Sequence, residues 1–272
     1  MTNCEIIAVG NELLQGDVLD SNTHWLIKQI TALGGHVTRA SMLPDALGTI
    51  AAEVHSALAR QPGLLLLGGG LGPTEDDLTL EAVASALGLP LQRNEEALRM
   101  VRATYRRLAA AGLFDGEMTP AREKMAHLPR GAQPLANSAG AAPGVLLQAG
   151  TTSVVCLPGV PGEMKAIWTE ALPETLRNLF GTSHFAEIEI RVACADESLL
   201  APVLSQVTRR HPEVYIKSRA RRLGIDLAFT ITLSQSANDR QTLDAALTAA
   251  REDLAGSLQE AGIALLPEGS TR

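Results

Sequence analysis

LLLLGGGLGPTEDDLT, residues 64 to 79, is the stretch that decides the fold. Four leucines in succession are too short for a helix and suit a strand covered on both faces. Gly68, Gly69, Gly70 and Gly72 then let the backbone turn tightly and approach a ligand closely. Thr74 with Asp77 fits a capping box for the following helix, whose first N–H groups form a natural anion site. Asp76 and Asp77 would repel a bare phosphate there but would hold Mg2+ between protein and phosphate. Capping accounts for one or two of these residues; four glycines and two acids point to a ligand.

Outward from this turn, short apolar runs alternate with amphipathic segments, the pattern of βαβ units. Residues 5–9, 36–43 and 64–67 read as strands, and 23–33, 45–60, 78–87 and 94–111 as helices. A short helix is expected over 120–127, strands over 132–136, 145–148 and 153–157, and one helix over 163–180. These give a three-layer α/β domain, residues 1–181, with an open, mostly parallel sheet between helices. After Gly181 the pattern becomes βαββα: strands over 186–193, 214–218 and 225–233, helices over 197–210 and 239–261. Residues 182–272 are therefore expected to form a small α+β module with helices on one face of an antiparallel sheet.

Open α/β sheets bind ligands beyond the C-terminal ends of their strands. Two further turns lie at that edge. AVGNELLQGDVLDSN, residues 8–22, places Glu12 directly after a buried strand, while Asp20, Ser21 and Asn22 can cap the next helix. VVCLPGVPGEMK, residues 154–165, makes a rigid turn that leaves Glu163 and Lys165 in the first turn of a helix. NSAGAAPG, residues 137–144, is small and flexible enough to line a pocket.

Composition excludes other classes. The net charge of −7 argues against a nucleic-acid surface, and no run approaches the ~20 apolar residues of a membrane helix. The N-terminus has no basic segment or cleavage site of a signal peptide. Cys4, Cys156 and Cys194 are widely spaced and read as reduced, buried thiols of a cytoplasmic protein. The six histidines show no zinc spacing, and neither a GxSxG elbow nor a GxxxxGK[ST] loop occurs.

GNELLQGDVLDSN, GGLGPTEDDLT, NSAGAAPG and LPGVPGEMK, in this order, resemble the signature blocks of the N-terminal domain of CinA proteins. That domain is similar in fold to the MoaB/MogA proteins of molybdenum-cofactor synthesis, and the following module resembles the KH-like domain of the family. The resemblance implies a metal-dependent ADP-ribose pyrophosphatase releasing AMP and ribose 5-phosphate, assembled as a homodimer. Asp76 and Asp77 would then hold Mg2+, Mn2+ or Co2+, Lys124 or Lys165 a phosphate oxygen, and Glu163 or Glu12 the attacking water. Gly69, Gly70, Gly72, Thr74, Thr79, Asp20, Asn22, Asp45, Asn137, Gly140 and Gly159 would line the nucleotide site.

Two other readings use the same turn: a pterin-binding or adenylyl-transferring protein of the molybdenum-cofactor type, and a nucleotide-binding regulator without catalysis. Residues 266–272 carry nothing like the AESCTGG segment of the amidase domain found in many CinA proteins, so deamidation is not expected. RNA binding is not expected either. Residues 182–223 contain no glycine, so the GXXG clamp of a nucleic-acid KH domain is absent, and the basic run 218–222 reads as a solvated hairpin.

Overall fold

The computed structural model describes residues 2–113, 115–181, 184–194, 196–223 and 226–267, with the side chains of 221–223 and 226–227 outside the description. Two compact units emerge, Met1–Thr31 with Gly35–Gly181, and Thr182–Arg272 with Ala32–Gly34.

In the first unit the chain runs β1 (Asn3–Val9), α1 (Asn11–Gln15), α2 (Ser21–Ala32), β2 (His36–Leu43), α3 (Leu47–Ala59), β3 (Leu64–Gly68) and α4 (Thr79–Ala86). It continues through β4 (Leu91–Arg93), α5 (Glu95–Ala110), α6 (Pro120–Lys124), β5 (His127–Pro129), β6 (Gln133–Leu135), β7 (Gly144–Ala149) and β8 (Thr152–Leu157). It ends with α7 (Pro161–Ala166), a π-helical turn (Ile167–Ala171) and α8 (Pro173–Phe180).

The main sheet has the order β2-β1-β3-β8-β7-β6. Its first three pairings are parallel and the last two antiparallel, so the sheet is mixed but mostly parallel. Leu64 to Leu67 are all fully buried, as a central strand covered on both faces requires. On one face Ile7, Leu65, Leu67, Val154 and Cys156 pack with Ile50, Val54, Val83, Leu98 and Val101 of α3, α4 and α5. Ile6, Leu64, Leu66 and Val155 point the other way and are equally buried. Leu26 and Ile30 of α2 and Met164, Ile167, Trp168, Leu172, Leu176 and Phe180 of the α7–α8 segment are buried as well, and Trp25 meets Trp168 edge-on at 6.0 Å between ring centroids.

One charged residue is buried in this sheet. Glu5 is 4% exposed, and its carboxylate accepts from both Nε and Nη2 of Arg60, each at 2.7 Å. Arg60 also reaches Glu53 at 3.2 Å. Cys4 in β1 and Cys156 in β8 are buried, and burial pushes both thiols up to about 12.

The second unit runs β9 (His184–Ala193), α9 (Glu197–Arg210), β10 (Tyr215–Leu223), β11 (Asp226–Ala237), α10 (Arg240–Glu260) and β12 (Ala264–Leu266). Its antiparallel sheet has the order β10-β11-β9-β12. Phe229, Ile231 and Leu233 alternate inward from β11 onto Leu200, Val203 and Val207 of α9 and Leu243, Leu247, Leu254 and Leu258 of α10. Asp196 and Asp239 cap the two helices, and the N–H and hydroxyl groups they accept from hold both carboxyls below their ordinary range. The basic run 218–222 lies in β10, with the side chains of 221 and 222 outside the described residues.

Several expected elements differ. The single helix over 163–180 is broken, because Pro173 brings no N–H to an interior turn and its ring crowds the preceding carbonyl. The π-helical turn absorbs the break, and the first helix starts at Pro161 instead of Glu163. The helix over 120–127 stops at Lys124, since His127–Pro129 pairs antiparallel with Leu91–Arg93 in a two-stranded sheet. The short α1 and β12 were not expected.

Candidate functional site

The chain leaves β1 for β2 on one side and then crosses to β3 on the other. The β1/β3 boundary is thus the point where strand order reverses, the place at which an open α/β sheet forms a crevice. A cavity of about 580 Å3 opens there. Val9 at the end of β1 with Gly10 after it, Gly69 to Pro73 after β3 and Pro158 to Pro161 after β8 line it.

The glycine turn is held rigidly. Gly69 donates to the Leu157 carbonyl at 2.9 Å, and its own carbonyl accepts the buried Thr79 hydroxyl at 2.8 Å. Gly69 and Gly70 adopt φ of +104° and +67°, values that side chains rarely tolerate. A Cβ on Gly69 would fall onto the Val9 carbonyl oxygen, and one on Gly70 onto the Thr79 hydroxyl. Among the described residues, the N–H groups of Gly70, Leu71 and Gly72 engage no protein acceptor.

Five carboxylates line the cavity: Glu12, Asp45, Asp76, Asp77 and Glu163. Asp45, Asp76, Asp77 and Glu163 are each held by hydrogen bonds from their neighbours. Asn11 N–H donates to Asp45 at 2.8 Å, and Asp45 N–H returns to the Asn11 side chain at 3.3 Å. Asn137 donates to Glu163 at 2.7 Å while its carbonyl oxygen accepts from Ala139 and Gly140 N–H. Gly140 lies so close to the Glu163 carboxylate that any Cβ there would overlap it. Asp77 accepts the Thr74 N–H at 2.8 Å and the Thr74 hydroxyl at 2.6 Å, and Asp76 also contacts that hydroxyl. Thr74 has one hydroxyl proton and two carboxylate neighbours, a surplus of negative charge that a divalent cation would relieve. No group of three His, Cys, Asp or Glu converges as a ready-made metal site among the described residues.

The Thr74 hydroxyl, the Asp76 backbone N–H and the Lys124 charge together hold the Asp76 carboxyl below the ordinary carboxylate range. A carboxyl lowered in this way keeps its charge, and whatever stability that charge contributes, until the pH falls through the lowered value. Thr74→Val should therefore shift the Asp76 titration upward, toward an ordinary aspartate. Carboxyl-carbon NMR across an acid titration reads this directly, and an unmoved midpoint would refute the assignment.

The basic residues take other places. Lys124 donates to the Thr74 carbonyl and, at 2.9 Å, to the Asp77 carbonyl, fastening the glycine turn from a small adjoining cavity. Lys165 sits 5.6 Å from the Trp25 ring centroid. Neither lies on the cavity lining, which contains no lysine, arginine or histidine among the described residues. Asp20 caps α2 through the Thr23 N–H at 2.9 Å, and Asn22 donates to the Gly159 carbonyl at 2.7 Å. Both line a second cavity of about 90 Å3 behind the first, where Asp20 Oδ2 and Asn22 Oδ1 are buried without a protein partner. Gly72 and Gly159 line the main cavity; Thr74, Thr79, Asn137 and Gly140 brace its walls without being lining residues. Sequence reasoning missed Tyr105, from α5, and Met125, which follows the end of α6; neither lies in a glycine motif.

Residues 5–178 match the family model described as probable molybdopterin binding domain. A protein of Pyrobaculum calidifontis is 40% identical over 255 residues, which cover 93% of this chain and 95% of that one. A protein of Aeropyrum pernix is also 40% identical, over 263 residues, 94% of this chain and 96% of its own length. The crystal structure of CinA from Thermoplasma acidophilum, of unknown function, is 34% identical with a TM-score of 0.58. It covers 64% of this chain and 98% of its own. The resemblance to CinA thus holds, but the pyrophosphatase reading attached to it does not. The matched family is a molybdopterin-binding one, and the expectation of an enzyme hydrolysing ADP-ribose is withdrawn.

Proposed function

The chain belongs to the family of probable molybdopterin binding domains, as a CinA-type member, and from that premise we propose that its cleft binds a phosphate-bearing pterin. One observation carries the reading. The cleft combines unengaged backbone N–H groups on a glycine turn with carboxylates and no basic side chain among its described lining residues.

A pterin ring presents an exocyclic amino group beside a ring N–H, two donors that a carboxylate accepts in parallel. Glu163, fixed by Asn137, and Asp45, fixed by Asn11, are oriented carboxylates of this kind. The phosphate would take the N–H groups of Gly70, Leu71 and Gly72. So many carboxylates oppose an anion unless a cation accompanies it. Asp76 and Asp77 suit a hydrated Mg2+ whose remaining ligands come from water and phosphate.

The test is binding of 6-hydroxymethylpterin monophosphate, followed by pterin fluorescence with and without Mg2+. The wild type should bind it more tightly than AMP, and Asp76→Asn with Asp77→Asn should weaken the Mg2+-dependent part about 10-fold, or ~1.4 kcal/mol. Preference for AMP over the pterin would refute the reading. A double variant that keeps the full Mg2+ dependence of the wild type would remove Asp76 and Asp77 from the cation site.

A further inference from the structure

Aromatic residues are scarce in this protein: two tyrosines, two tryptophans and four phenylalanines in 272 residues. Tyr105 is the one aromatic side chain among the described lining residues of the cleft. It projects from α5 and shares the lining with Leu71, Met125, Ala141 and Ala142, which all belong to one apolar cluster with it. The carboxylates of the same cleft come from the strand-end turns. Ring-sized apolar surface and polar groups are thus supplied by different elements.

The Tyr105 ring is fixed from behind. The Arg122 guanidinium lies 3.9 Å from the ring centroid, covering one face. Arg122 is itself tied down: its Nη1 donates to the Asp115 carboxylate at 2.7 Å, the Asp115 carbonyl at 2.9 Å and the Glu117 carbonyl at 2.5 Å. Its side chain is only 15% exposed. A guanidinium on one face leaves the opposite side of the ring as the part available to a cleft ligand, and a ring already fixed loses little freedom when a ligand stacks on it. Beyond this support, the Tyr105 hydroxyl has no protein partner among the described residues.

We infer that Tyr105 is the stacking platform for the flat heterocycle of the ligand, with Arg122 as the positioning residue behind it. The inference rests on the pterin reading for the identity of that heterocycle, and on the ring geometry for the contact itself.

Binding of 6-hydroxymethylpterin monophosphate, AMP and inorganic pyrophosphate is compared in Mg2+ for wild type, Tyr105→Phe and Tyr105→Leu. Stacking on an aromatic side chain corresponds to roughly a 10-fold change in affinity. Tyr105→Leu should lose about that factor for the pterin, together with the quenching of pterin fluorescence in the complex, and leave pyrophosphate binding unchanged. Tyr105→Phe should retain both. Unchanged pterin affinity and quenching in Tyr105→Leu would overturn the inference while leaving the pterin reading intact. If the wild type takes AMP in preference to the pterin, and Tyr105→Leu weakens AMP, the stacking role holds and the pterin reading fails. If the wild type binds neither flat ligand, both fail. Should Tyr105→Leu not fold, Tyr105→Trp decides: a larger ring must hold or tighten the flat ligand, and loss of binding overturns the platform.

Discussion

Replacing Gly69 with alanine should lower stability by about 3 kcal/mol and abolish ligand binding, although it adds a single methyl group. Two costs combine. A φ of +104° strains any residue with a Cβ, and the Cβ would fall onto the Val9 carbonyl oxygen. That carbonyl ends a strand hydrogen-bonded on both sides, by β2 and by β3, so it has no freedom to retreat. Gly16 is the internal control: its φ is +80°, yet nothing lies within 4 Å of its Cβ position. Gly16→Ala should cost only the backbone strain, about 1 kcal/mol. Urea denaturation of both variants separates the effects, and equal losses would show that the contact with Val9 is not the cause.

A second large effect is expected well away from the cleft. Arg60→Ala should destabilise the protein by about 3 kcal/mol at neutral pH, because it leaves the Glu5 carboxylate buried without a partner. The pair itself need not be favourable relative to an apolar one. Glu5→Leu combined with Arg60→Leu should therefore recover most of the loss, whereas each exposed pair, such as Arg240 with Asp244, contributes well under about 1 kcal/mol when removed. Thermal melting of Arg60→Ala and of the double variant tests this. A double variant as unstable as Arg60→Ala would mean that the charges themselves hold the sheet.

How much was legible in the sequence depended on whether a local signal was in competition with a distant one. The strand at 36–43 and the helix at 197–210 were read to the residue, because alternation and capping acted without interference. The four-leucine run could be placed in a central strand for the same reason. The helix over 163–180 failed at Pro173, where an amphipathic pattern continues across a residue that cannot join the ladder. The pairing of Leu91–Arg93 with His127–Pro129 joins segments too short to show any period.

The site divides in the same way. Glycines and acids clustered at strand ends announced the cleft, and Glu12, Asp45, Asp76, Asp77 and Glu163 do meet there. Lys124 and Lys165 looked equally available, but a sequence does not show that one fastens backbone carbonyls and the other approaches an indole ring. Tyr105 carried no motif at all. Only its packing under Arg122 distinguishes it from any aromatic on an amphipathic helix. Function was misread at the same level: a shared fold and shared acids do not specify the chemistry they serve.

The buried cysteines give the molecule a gauge of its own opening. A thiol pushed up to about 12 is almost wholly protonated at neutral pH and inert to alkylating reagents while it stays covered. Cys4 and Cys156 lie in β1 and β8 of the first unit, and Cys194 is buried in the second. Each can react with iodoacetamide only when the structure around it opens, so the labelling rate counts opening events rather than surface encounters. With reporters in both units, one alkylation time course followed by mass spectrometry tells whether the two come apart together or one at a time.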